Sequence, residues 1–267
     1  MGTVYSPLAM TTRFSARALK EGLTTSFVGR CLEYRASLGS TQDLARELAE
    51  AGAVDGTVVL AGRQTAGRGR LSRSWISPRG GLYLTVVLRP RAEHLKALVI
   101  IAALAVARAI ERLAGLQTSL KWPNDVLVAG RKISGILSEA ELVGQSVGYA
   151  LVGIGVNVNA DLAAYPEAGA LATSVRTELG REISREALAA AILNEFEALY
   201  LAAQAGEAID QEWRARLGML GKEVRVRFGE QVEEGLAEDV DSDGSLILRR
   251  ADGSRVTIAA GDVTLRS

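Results

Sequence analysis

Up to about residue 215 the chain alternates short apolar runs with longer stretches of helical periodicity; after Gly218 only short alternating runs remain. CLEYRA (31–36), TVVLA (57–61) and GLYLTVVL (81–88) predict strands, and YALVGIGVNVN (149–159) predicts another that carries two glycines. Helical spacing predicts helices over 42–51, about 94–114, 185–203 and 209–217. Ser40 and Asp43 have the spacing of a capping box ahead of the first. TSLKWPNDVLVAGRKISGILSEAEL alternates about a turn at Ala129-Gly130 and reads as a hairpin. Past Gly218, the runs EVRVRF, LILRR, RVTIA and DVTLR, separated by DSDG and ADG turns, fit a small antiparallel barrel. The pattern predicts an α/β body followed by a second, all-β unit.

With 267 residues, 48% of them hydrophobic, the chain can bury the core of one large domain plus a small one. Thirty-one basic and 31 acidic residues cancel, so no global charge favours nucleic acid or a membrane surface. One cysteine and one histidine exclude a disulfide framework, a zinc cluster and a Cys/His catalytic pair. Cys31 is expected as a small buried hydrophobe and His94 as a surface residue at a helix start. The longest apolar run, Ala97 to Ala107, falls short of the ~20 residues of a membrane span. Residues 1–23 lack the apolar core of a secretory signal, so a cytoplasmic protein is expected.

Charge is uneven within that balance. Seven arginines (63, 68, 70, 73, 79, 89 and 91) and no acidic residue lie between Gly56 and Ala92, either as an anion site or as a solvated basic face. The loop GRQTAGRGR (62–70) has the glycine spacing of a phosphate-binding P-loop but Arg68-Gly69 where that motif needs Lys-Ser/Thr. In KWPND, the proline and the Asn-Asp pair form a rigid bend that can turn Lys121 and Asp125 toward one cavity. Lys132, past the hairpin turn, reads either as a reader of phosphate or carboxylate or as an ordinary exposed lysine. Facing an arginine-rich loop, it needs an anion between the two. Gly135 suggests a strand against which a flat ligand lies close.

STQD, GRQTAGRGR, WISPRGGLY, KWPND, GRKISGIL and GIGVNVN together resemble, in order and spacing, the biotin protein ligases, from about Gly29 to the C-terminus. The resemblance implies a central mixed or antiparallel sheet flanked by helices, of the class II aminoacyl-tRNA synthetase-like kind, over 29–217. It also implies an SH3-like barrel over 218–267 and leaves 1–28 as an N-terminal extension. It implies biotin, ATP and Mg²⁺ as reactants and a biotin carboxyl carrier domain as acceptor, with a homodimer possible. Ser40, Thr41 and Gln42 would line the biotin head group and Gln64 its polar edge, with Gly135 beside them. Arg68, Gly69, Arg70 and Lys132 would hold the biotin carboxyl and the α-phosphate. Trp75, Asn157, Lys121 and Asn124 would serve the nucleotide, Trp75 by stacking on adenine. Asp125 would contact Mg²⁺ or orient the incoming lysine. Where relatives usually have Ser-Thr-Asn, this chain has Gln42, whose extra methylene shifts the amide.

The chemistry suits such groups. Joining two anions needs fixed positive charge at the junction. A mixed anhydride formed there would hydrolyse in open water, so the glycine-rich loop is expected to be mobile when empty and closed over ligand. A lipoyl or octanoyl carrier ligase is the alternative of the same fold. A DNA-binding repressor is a further one, for which 28 leading residues are too few to form a winged helix.

Overall fold

The computed structural model describes residues 14–168 and 170–265; residues 1–13 of the expected N-terminal extension lie outside them. Strands β1 (Leu32–Arg35), β2 (Val58–Ala61), β3 (Leu82–Leu88), β4 (Thr118–Lys121), β5 (Asp125–Val128), β6 (Arg131–Val143) and β7 (Ser146–Val156) form one sheet. Its order is β1-β2-β3-β7-β6-β5-β4. Only the β1–β2 pair is parallel, so the sheet is mixed and mostly antiparallel. The anticipated hairpin is thus three strands, with KWPND turning β4 into β5 and Ala129-Gly130 turning β5 into β6.

Helices cover both faces of this sheet. α3 (Ala97–Ala114) and α5 (Arg185–Gln204) pack on one face with Val58, Leu84, Val86 and Ile154 in a continuous core. α2 (Thr41–Glu50) covers the other, placing Ala45 and Ala49 against Val59, Val87 and Leu151. Covered on both sides, β3 is buried along its whole length, which is why LYLTVVL reads as a run rather than an alternation. α3 begins at Ala97, later than its periodicity suggests, because 92–94 form a separate 3₁₀ turn. His94 lies in that turn, half-buried rather than on the surface, with Nε2 3.6 Å from Glu93. Cys31 is exposed, not buried: it precedes β1 at the sheet edge, where no layer covers it.

Two short helices, α1 (Ala16–Glu21) and α4 (Val175–Leu179), escape periodicity because each is under two turns long. The segment after α1 is anchored by Glu197 of α5. That carboxylate accepts from the N–H groups of Ser26 (2.5 Å), Phe27 (2.9 Å) and Val28 (2.8 Å). Burial alone would raise the Glu197 pKa, but these donors outweigh it and hold it below the usual value.

After α6 (Asp210–Arg216) the chain enters a five-stranded antiparallel sheet of order β11-β10-β9-β8-β12. It comprises β8 (Glu223–Phe228), β9 (Gln231–Val240), β10 (Leu246–Arg249), β11 (Arg255–Ile258) and β12 (Asp262–Leu265). The longest of these, β9, is invisible to the alternation rule: a register shift opposite β10 breaks its period, and charges crowd its open face. The two sheets touch at Trp122, whose indole N–H donates to Gly244 O at 2.8 Å, and at the glycine-rich loop.

Candidate active site

The site lies on the face of the large sheet that α2 only partly covers. Side chains of one face recur every second residue. On β7 the sequence Tyr149, Leu151, Gly153, Gly155 therefore runs from beneath α2 into the open, and on β3 Val87 is followed by Thr85 and Tyr83. Cross-strand register brings Gly135 opposite Gly155 and Leu137 opposite Gly153. The result is a cavity of about 140 Å³ floored by three glycines. A Cβ at Gly153 would stand 2.7 Å from Gln42 Oε1, and one at Gly155 2.5 Å from Trp75 Nε1. The absent side chains are what let other groups lie flat on the sheet.

One end of the cavity is neutral and buried. Ser40 is the N-cap of α2, its Oγ accepting from Gln42 N–H at 3.2 Å, and the two following residues are turned inward as the helix begins. Asp43 does not complete a capping box; its carboxylate is drawn to Arg68 instead. Gln64 Oε1 accepts from Thr41 N–H at 2.7 Å, while Gln64 Nε2 donates to Ser77 Oγ at 2.8 Å. Ser40, Thr41 and Gln42 are each under 5% exposed.

The other end is charged. Between β2 and β3 the glycine-rich loop folds back on itself: Trp75 N–H donates to Gly67 O (2.8 Å) and Gly69 N–H to Arg73 O (2.7 Å). Leu71 and Ser72 take left-handed φ values at its tip. Gly67 is required there, since a Cβ would stand 2.6 Å from Ser77 Oγ. Arg68 is bonded to Glu139 through both terminal nitrogens (2.7 and 3.1 Å) and to Asp43 (3.1 Å). Arg70 donates to Asn124 Oδ1 (3.1 Å) and to Gly261 O of the second sheet (3.3 Å). Burial lowers the Arg70 pKa, and the negative charges of Asp262 and Asp125 oppose that shift. Arg73 forms a bidentate pair with Asp262, which lines the cavity from the C-terminal sheet.

Lys132 Nζ lies 2.6 Å from Asp125 Oδ1 and 5.2 Å from the centre of the Trp75 ring. Between Lys132 and the arginine loop stand the protein's own carboxylates, Asp125 against Lys132 and Asp262 against Arg73. The Trp75 indole separates the main cavity from a second of about 130 Å³, which Trp75 and Lys132 line together with Asn157, Ile76 and Ala172. Asn157 is buried, and its amide donates to Thr173 O at 3.0 Å.

Of the residues singled out from sequence, Ser40, Thr41, Gln42, Gln64, Arg68, Gly69, Arg70, Trp75, Asn124, Asp125, Lys132 and Gly135 line the main cavity. Asn157 lines the neighbouring one. Lys121 lines neither; it ends β4 opposite Asp125. Sequence reasoning overlooked Thr85, Glu139 and Asp262, and marked the G-x-G of Gly153 and Gly155 as a strand feature like Gly135 without naming either as a site residue. The glycine pair had a signal, two residues apart in GIG and so on one face, and Thr85 had one as the only aliphatic hydroxyl in LYLTVVL. Glu139 and Asp262 had none, since their role depends on tertiary proximity alone.

Comparison with known proteins bears on the whole of this arrangement. Residues 34–157 match the model of the biotin/lipoate A/B protein ligase family, and residues 219–266 that of the biotin protein ligase C terminal domain. The biotin–[acetyl-CoA-carboxylase] ligase of Mycobacterium tuberculosis is 36% identical over 259 residues, covering 92% of this chain and 94% of that protein. The chain belongs to the biotin protein ligase family. Another member of the family, the bifunctional ligase/repressor BirA of Bacillus subtilis, is 37% identical over 95% of this chain and 79% of its own length. Among solved structures, the biotin protein ligase of Aquifex aeolicus in complex with biotin and ATP superposes with a TM-score of 0.75 at 29% identity. It covers 89% of this chain, and 99% of its own length is matched. Both sheets of this family member therefore have counterparts, the mixed sheet in the ligase fold and the antiparallel one in the C-terminal domain.

Proposed function

We propose that the protein activates biotin with ATP and transfers it to a lysine of a carboxylase carrier domain. The observation that carries this reading is the division of one cavity into a neutral, buried, hydrogen-bonding end and a basic end. That polarity matches a molecule with a ureido head and a carboxylate tail. The dithiolane of lipoate has no N–H or carbonyl to pair with Thr41, Gln42 or Gln64, so the buried polar end favours biotin over a lipoyl substrate.

In the first step a biotin carboxylate oxygen attacks the α-phosphorus of ATP; the α–β P–O bond breaks and pyrophosphate leaves. Lys132, Arg68 and Arg70 neutralise the two anions as they approach, Lys132 and Arg68 exchanging carboxylate partners, and Arg70 its amide and carbonyl partners, for ligand oxygens. Mg²⁺ accompanying the nucleotide phosphates would add positive charge at the junction. Asp125 is the cavity-wall carboxylate that would hold it. Trp75 and Asn157 of the second cavity receive the adenine. In the second step the neutral lysine amine of the carrier attacks the acyl carbon, the C–O bond to phosphate breaks and AMP leaves, with a proton lost to solvent. No enzyme nucleophile is needed.

The test mixes the protein with biotin, MgATP and an apo carrier domain, with lipoate in a parallel reaction. The expected result is one biotin-sized mass increase on one carrier lysine and none from lipoate. A folded protein that leaves the carrier unmodified, or that prefers lipoate, overturns the reading.

A further inference from the structure

We infer that Thr85, in the middle of β3, sets the hydrogen-bond polarity of the head-group pocket and so tunes affinity for biotin; this rests on the biotin reading above. Thr85 is fully buried and, besides Tyr83, whose hydroxyl is taken by Pro78 O, carries the one hydroxyl of its strand. Its Oγ1 lies 2.9 Å from Thr41 Oγ1 and 3.1 Å from Gln42 Oε1. Thr41 Oγ1 in turn lies 3.0 Å from Gln64 Oε1.

Each hydroxyl has one hydrogen to give, so these contacts cannot all be made at once. The Gln42 amide is oriented by Leu151 O, 3.5 Å from its Nε2; the reversed amide would set two carbonyl oxygens against each other there. Gln42 Oε1 therefore faces Thr85 and needs a donor, because a buried carbonyl left unpaired is costly. If Thr85 gave its hydrogen to Thr41, that oxygen would go without. Thr41 gives its hydroxyl hydrogen to Gln64 Oε1, which the Thr41 backbone N–H also serves at 2.7 Å. Thr85 is therefore the donor to Gln42 Oε1, with Thr41 Oγ1 a second acceptor beside the same hydrogen.

The consequence reaches the cavity. With its hydrogen committed to Gln64, Thr41 Oγ1 presents only lone pairs to a ligand and acts as an acceptor. With its oxygen committed to Thr85, Gln42 is left with its amide N–H as a donor. Acceptor and donor side by side complement a ureido group, in which N–H donors flank a carbonyl. Gly153 keeps this geometry, because any side chain there would press on Gln42 Oε1. Thr85 thus acts as a positioning residue: it touches no ligand, yet it decides which neighbouring atoms donate.

The experiment compares Thr85→Val, which keeps the shape and removes the hydroxyl, with Thr85→Ser, which keeps the hydroxyl. Biotin KM, ATP KM and biotin Kd are measured for each and for the unaltered protein. Valine is expected to raise biotin KM and Kd about tenfold, the loss of roughly one hydrogen bond's worth of affinity. ATP KM stays within about twofold, and serine restores biotin affinity to within about threefold of the unaltered protein. If Thr85→Val does not fold, Thr85→Cys, with its weak thiol donor, takes its place and is expected to behave as the valine variant should. Unchanged biotin affinity in the variant lacking the hydroxyl, an equal rise in ATP KM, or a serine variant as impaired as the valine one overturns the inference. Failure of the unaltered protein to bind biotin at all would instead overturn the reading of the pocket on which this one stands.

Discussion

The two ends of the cavity are built by opposite means. The neutral end stands on a helix N-terminus and two central strands, and its groups are under 5% exposed at Ser40, Thr41, Gln42 and Thr85. The charged end stands on a loop. Arg68 and Arg73 are 37% and 63% exposed and are held by ion pairs to Glu139, Asp43 and Asp262. A ligand group that does not change during reaction can be met by fixed hydrogen bonds whose ordering cost is met on folding. A group that gains and loses charge, and whose product must leave, is better met by cations that exchange partners, and exposed ion pairs are weak enough to do so. Rigidity is placed where recognition occurs, and exchangeable pairing where bonds change.

Four experiments test whether the two ends differ in this way. Lys132→Ala should have the largest effect, lowering the rate of biotin-dependent pyrophosphate exchange about 10²–10³-fold, as loss of one charge-stabilising group does. Biotin Kd should change far less, and an equal loss in both would move Lys132 to ground-state binding. Gly153→Ala comes next: the added carbon displaces Gln42 and should raise biotin KM about tenfold while sparing ATP KM. A neutral effect would mean that the polar end adapts, contrary to the rigidity assigned to it. Asp262→Asn, which loosens the exposed pair with Arg73, should change turnover by no more than about threefold, with faster proteolytic cleavage in 68–75. Cleavage unaffected by this change would mean that the C-terminal sheet does not brace the loop.

The smallest effect on catalysis is expected from Glu197→Gln, remote from the cavity. Here the variable is pH. The folded pKa of Glu197 is depressed, so the carboxylate stabilises the protein fully above its unfolded value and less as pH falls through the folded one. At neutral pH the variant should be less stable by about 1–3 kcal/mol, since Ser26, Phe27 and Val28 lose a charged acceptor. The difference from the unaltered protein should close below pH 4.5. Denaturant unfolding at pH 7 and pH 4 measures both.

Local physics made most of this legible. The strands β2, β3 and β7 and the helices α3 and α5 follow from hydrophobic period, and Ser40 announces α2 because a serine is a good N-cap. The loop residues were found through glycine spacing and an excess of arginine. What escaped depends on distance along the chain. Glu139 and Asp262 meet the arginines across 71 and 189 residues, and no local pattern encodes such a meeting. Asp125 also meets Lys132, seven positions later, because register across β5 and β6 turns both toward one cavity. Cys31 misled for the converse reason: residue type favoured burial, while position at the sheet edge decided against it.

The attachment of the glycine-rich loop to the second sheet through Arg70, Arg73, Gly261 and Asp262 has a practical corollary. Of these contacts the exposed Arg73–Asp262 ion pair weakens as salt screens it, whereas the neutral pocket is indifferent to salt. Ionic strength is then a dial on fidelity: as salt rises, activated biotin should escape more often and acylate bystander amines. The ratio of stray to specific labelling, read by mass spectrometry across a salt series, measures how tightly that cover is held down.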